Sequence, residues 1–193
     1  MVRKSREIGA GPLPSVVHLL TQLKVKNQQR NEDGPYRGFF PQLLKSPENF
    51  KLGIPSLAKG IYLPPSPMIR VRFETVGRWV NAAFGQTWLG IEDMKKAWSS
   101  TMTKEQTKLR LADWPNSPLQ NHPPELTSLF GLDPGEGEDT YLLWPETKGE
   151  EPKILCYTGY EEEIHCNLAD FLERLIWQST LEHRVEPIPY DQV

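Results

Sequence analysis

Lys153-Ile-Leu-Cys-Tyr-Thr-Gly-Tyr-Glu-Glu-Glu-Ile-His-Cys-Asn-Leu-Ala-Asp-Phe-Leu-Glu-Arg-Leu-Ile176 is the stretch on which the fold class turns. Two strand-like runs, Lys153 to Thr158 and Glu162 to Cys166, flank Gly159-Tyr160 and read as a hairpin with a two-residue turn. In that register Leu155, Tyr157, Ile164 and Cys166 share one face, because strand side chains alternate. Asn167 then stands where a helix cap is wanted, and Asp170 in the first turn suits the positive end of the helix dipole. Leu168, Phe171, Leu172, Leu175 and Ile176 fall at i, i+3, i+4, i+7 and i+8, the spacing of a core-facing helix. Thr140-Tyr-Leu-Leu-Trp144 adds a buried-type strand before the hairpin, preceded by the Gly-rich acidic loop Gly131 to Asp139. Strand, strand, strand, helix predicts an α+β fold: a central, mainly antiparallel sheet with a C-terminal helix packed on it and several short helices.

Working toward the N-terminus, Pro14 to Lys26 predicts a helix with Val16, Val17, Leu19, Leu20 and Leu23 on a broad apolar face, capped by Ser15. The polar run Asn27 to Pro35 reads as a loop. Met68-Ile-Arg-Val-Arg-Phe73 alternates apolar and basic residues and predicts a strand with one wet face. Glu74 to Phe84 carries Val76, Trp79, Val80 and Phe84 at helical spacing, with Gly85 placed to stop a helix. Ile91 to Ser99 and Lys104 to Asp113 read as short helices, Trp114 to Pro124 as a linker, and Glu125 to Phe130 as one more helical turn opened by Pro123 and Pro124. Trp88 and Trp98 read as core.

A chain of 193 residues suffices for one domain of ordinary size. Residues 1–193 are therefore read as a single domain, with 61–183 its main α+β core and 1–60 an N-terminal extension. The 18 prolines, about twice the usual share, divide the chain into short elements. Only Cys156 and Cys166 are present, Met1-Val-Arg-Lys-Ser-Arg6 leads into no apolar run, and no stretch approaches the ~18 apolar residues of a membrane helix. A cytoplasmic protein with reduced thiols, not associated with membrane, is expected.

Charge is divided along the chain. Through Phe130 there are 18 Lys and Arg against 10 Asp and Glu, a formal +8; from Gly131 onward there are 4 against 15, a formal −11, which together leave the overall −3. A fold that joins the two parts presents faces of opposite sign, and such faces steer charged partners at long range.

Motifs for chemistry are sparse. Nucleophilic catalysis needs a Cys or Ser held against a base, and neighbours His165 and Cys166 point to opposite faces of a strand. Cys156 and His165 across the hairpin are the remaining dyad, for which a buried thiol or a polar sheet pair is the plainer reading. Cys156, His165 and Cys166 lack the spacing of a zinc site, and His122 and His183 stand alone. Asp133-Pro-Gly-Glu-Gly-Glu-Asp139 departs from the calcium-loop template, and an acidic glycine loop has the wrong sign for phosphate. No metal or cofactor is expected.

The sequences Phe130-Gly-Leu-Asp-Pro134, Asp139-Thr-Tyr-Leu-Leu-Trp144, Ile154-Leu-Cys-Tyr157 and Asn167-Leu-Ala-Asp-Phe-Leu-Glu-Arg-Leu-Ile176 resemble the second half of a SUKH-superfamily domain. Such domains carry a "G-(E/D)-Y-(L)" strand, an apolar hairpin strand and a closing helix that begins "L-x-x-F-L". The likeness covers about sixty residues. Upstream the family's N-terminal helix motif is absent; Leu13-Pro-Ser-Val-Val-His-Leu-Leu20 echoes it in part. The resemblance implies an immunity-type protein that binds and neutralises a toxin domain, often a nuclease with a basic active site. Function is accordingly expected to be non-enzymatic: occlusion of a basic toxin or effector domain by an acidic face. Asp133, Glu136, Glu138, Asp139, Glu161, Glu162 and Glu163 would supply the charge, and Trp144 or Tyr160 an aromatic anchor inside the charged rim. The alternative is a nucleic-acid-associated protein whose basic N-terminal part, with Arg70 and Arg72 alternating on a strand, tracks phosphates. The acidic third opposes it. A small hydrolase built on Cys156 and His165 ranks last.

Overall fold

The computed structural model describes residues 14–33, 52–83, 85–97, 105, 116–133, 138–158 and 161–182. Helix α1, Pro14–Asp33, is followed by a two-stranded antiparallel ribbon, β1 (Ile54–Pro55) and β2 (Tyr62–Leu63). Then come α2 (Pro67–Thr75), β3 (Trp79–Ala83), β4 (Gln86–Trp88), α3 (Ile91–Ala97) and α4 (Pro118–Asn121). A 3-10 turn at Pro124–Leu126 leads into β5 (Thr127–Leu132), β6 (Asp139–Leu143), β7 (Lys153–Thr158), β8 (Glu161–His165) and the closing helix α5 (Leu168–Glu182). Strands β3 to β8 form one six-stranded sheet in sequential order, every pair antiparallel. The α+β fold class is as the sequence implies.

The hairpin at the C-terminal end has the expected register, Leu155 opposite Ile164. Its consequence for the core differs from a one-sided sheet: Ile154, Leu155, Cys156 and Tyr157 are all buried, so β7 is covered on both faces. Following partners from strand to strand gives two rows. One runs Trp88, Gly131, Thr140, Cys156, Glu163; on the opposite face Thr87 pairs with Leu132 and Leu132 with Asp139, and Tyr157 pairs with Glu162. On the first face α5 lays Phe171 against Trp88 and His165, with ring centroids 5.9 and 5.1 Å apart. α5 also packs on α1 and touches α2. Across the second face Tyr157 meets Tyr141 edge-on and its hydroxyl bonds to Ser117, the residue that caps α4.

Four local expectations are corrected. Residues 67–75 form a helix where a strand was expected. Pro67 opens it, and Glu151 from the loop before β7 seals its N-terminus by accepting from Met68 N at 2.8 Å and Ser66 Oγ at 2.7 Å. Arg72 faces inward, fully buried, donating to Leu89 O at 3.1 Å with its guanidinium 4.1 Å from the Phe73 ring centre. The apparent apolar–basic alternation counted that arginine as wet.

Trp79–Ala83 is in turn a strand. It pairs antiparallel with β4 so that Trp79 lies opposite Trp88 and Ala83 opposite Gln86, and Gly85, at φ +77, stands between the two strands where a helix stop was expected. Thr127–Leu132 is a strand after the 3-10 turn, held at its start where Leu57 N donates to Thr127 O and Trp144 N to Leu126 O. α1 continues to Asp33, beyond the expected loop boundary, since Gln28, Gln29 and Arg30 favour helix and nothing breaks it before Gly34-Pro35. Val16, Leu19, Leu20 and Leu23 of α1, with Ile54, join the single apolar cluster, so the core reaches into the stretch read as an extension. The helix expected over Lys104 to Asp113, and Trp98, lie outside the described residues apart from Glu105, which is helical.

Candidate functional site

The first row is a polar seam inside an apolar core. Gly131 has no side chain to offer, and a Cβ there would stand 2.7 Å from Gln86 Oε1 and 3.2 Å from Trp88 Cδ1. That gap admits the fully buried Gln86. Thr140 Oγ1 donates to Gln86 Oε1 at 2.7 Å and lies 3.4 Å from Cys156 Sγ. Burial pushes the Cys156 thiol up to about 12, against the lowering effect of Thr140 and Gln86. The thiolate is the nucleophile in cysteine chemistry, so this thiol is fully protonated at neutral pH. Nor is His165 opposite it: Cys156 pairs with Glu163, and His165 with Ile154. Cys166 is exposed. One thiol should therefore react with Ellman's reagent in the native protein at pH 8 and two in denaturant. Two fast native thiols would contradict the buried, protonated state of Cys156.

The seam ends at the edge strand in a charged cluster. Glu163 Oε1 accepts from Arg174 of α5 at 2.8 Å, and its other oxygen is 3.7 Å from His165 Nε2. His165 Nδ1 lies 3.8 Å from Asp170, which also accepts from Cys166 N at 2.9 Å. Asn167 Oδ1 accepts from Asp170 N at 3.1 Å, the expected cap. His165, first among the causes, and Arg174 hold the Glu163 carboxyl at about 2, well below its ordinary 4.5. Glu163 thus fastens the edge strand to the closing helix.

The expected acidic residues have different fates. Glu161 is exposed and Glu162 and Glu163 are half-buried. Asp133 and Glu138 are half-buried at the ends of a loop closed by Asp133 N donating to Glu138 O at 2.8 Å. Asp139 is fully buried and accepts from Tyr141 OH at 3.4 Å. Trp144 is only 4% exposed, its indole N–H bonded to Ser128 Oγ at 3.0 Å, so it is a core residue and no anchor for a partner. Glu136 and Tyr160 lie outside the described residues. What the structure brings to one exposed place is the β8 edge, with Glu161, Glu162 and Ile164. Gln86, Arg174 and Glu151 had no sequence signal, because each acts through a partner at least 11 positions away.

Among the described residues, no three His, Cys, Asp or Glu side chains gather as a metal site, and no helix is long and apolar enough to cross a membrane. The phosphate-tracking role expected of Arg72 is overturned by its burial, and Arg70 on the exposed side of α2 lies 3.8 Å from Glu74. No family model, curated protein or solved structure matches the chain.

Proposed function

We propose that this chain is a non-enzymatic binding protein of immunity type that docks and occludes a basic protein domain through the acidic edge strand of its sheet. The observation that carries the reading is the placement of Glu161 and Glu162 on the terminal strand β8, with Glu161 in solvent and Glu162 half-buried. The third glutamate is already neutralised internally by Arg174, leaving two carboxylates for a partner's Lys and Arg. The SUKH resemblance supports the same reading, because its quoted motifs fall on the strands β5, β6 and β7 and on the closing helix α5. A fully protonated, buried Cys156 adds no nucleophile to weigh against it.

The test is the association rate with the protein encoded beside this one, for wild type and for Glu161→Lys/Glu162→Lys. Wild type should associate several-fold faster at low salt, about tenfold where both charges are engaged, and the difference should shrink as the Debye length falls below about 8 Å. Equal rates at low salt would remove the acidic edge from recognition. Duplex DNA bound as tightly as that protein, through the basic N-terminal part, would favour the alternative.

A further inference from the structure

We propose that the open edge of β8 binds its partner by strand addition: an extended basic segment of another protein pairs antiparallel with Glu161–His165 as a seventh strand. This rests on the docking function proposed above and specifies its geometry. The sheet has two edges, β3 and β8. β3 is unsuited to templating a strand, because its register shifts between Trp79 and Ala83 and Asn81 sits at φ +54, a bulged and twisted ladder. β8 keeps one register with β7 over all five residues, and among the described residues no strand lies on its other side. An antiparallel edge of that kind leaves alternate N–H and C=O groups directed outward.

The side chains state what would pair there. Ile164 is 38% exposed although Leu155, directly opposite on β7, is fully buried. It stands on the terminal strand of the sheet, where an added strand would cover part of that surface. On the same face, Glu162 is half-buried and its Oε1 accepts no hydrogen bond within the chain, so a carboxylate swung outward would gain a donor from an incoming ammonium or guanidinium. Glu161 is exposed on the other face. A second copy of this chain is the wrong occupant, since β8 is Glu-Glu-Glu-Ile-His and would bring no Lys or Arg to Glu161 and Glu162. The complementary segment, read from its own N-terminus, is apolar, any residue, basic, basic: opposite Ile164, Glu163, Glu162 and Glu161 in turn. The open position faces Glu163, which Arg174 already occupies.

The experiment titrates the full chain against a blocked, fluorescently labelled peptide carrying valine, threonine, lysine and lysine at those positions, flanked by threonines. Two further peptides of identical charge carry backbone N-methyl groups at alternate residues, one in each phase. Strand addition requires that one phase of methylation weakens binding about tenfold or more while the other phase, on the segment's far edge, leaves it near the parent value. Parent and both methylated peptides binding alike would overturn strand addition and leave charge docking standing, as would a parent peptide that does not bind. Parent binding unaffected by Glu161→Lys/Glu162→Lys would instead overturn the acidic-edge reading itself.

Discussion

Truncation of Phe171 to alanine is expected to cost about 3–5 kcal/mol, the range for removing a large aromatic from a packed interior. The side chain is 1% exposed in the first turn of α5 and lies between the rings of Trp88 and His165, 5.9 and 5.1 Å away. Trp88 is itself packed on Trp79 at 5.4 Å and Phe130 at 5.1 Å, so the cavity would open into an aromatic cluster that cannot collapse without moving β4 and β5. For a chain of this length such a loss lowers the melting temperature on the order of 10 °C. Thermal unfolding of the purified variant decides the matter. A shift of only a degree or two would mean that α5 is peripheral to the core.

The same residues explain why the C-terminal part was legible and the middle was not. From Lys153 to Glu182 each local signal agrees with its surroundings: a two-residue turn, an Asx cap at Asn167, and a helical apolar face that finds a sheet face waiting. Between Met68 and Trp88 the signals conflict. A strand-like alternation in residues 68–73 depends on reading Arg72 as a surface residue, whereas it is buried between aromatic rings with its charge directed to a carbonyl. The carboxylate that fixes the start of α2, Glu151, lies 83 residues from the amide it accepts from, beyond the reach of any window. The candidate site was legible as a composition and not as a surface. Asp139 and Trp144 belong to strand-end positions that the sheet turns inward, and nothing in an acidic run tells which carboxylate the fold will use for itself.

Glu161, Glu162 and Glu163 are the same residue type, yet only Glu163 lies beside His165, 3.7 Å away, and reaches Arg174 at 2.8 Å. Reversal of Glu163 to Lys should cost about 2 kcal/mol, below the value for a fully buried pair because 23% of its side chain is in water, whereas Glu161→Lys should stay within about 0.5 kcal/mol. The pH dependence separates this from a packing effect. Glu163 titrates at about 2 in the folded chain against an ordinary 4.5, so protons bind the unfolded state more readily. Its contribution is complete above pH 4.5 and is lost as pH falls toward 2. Glu163→Gln should therefore be less stable than wild type at neutral pH, and the two should converge through that window, as measured by urea unfolding at a series of pH values. A gap that is unchanged at pH 2.5 would show that the ion pair with Arg174 and His165 contributes nothing, and that β8 is held to α5 by apolar contact alone.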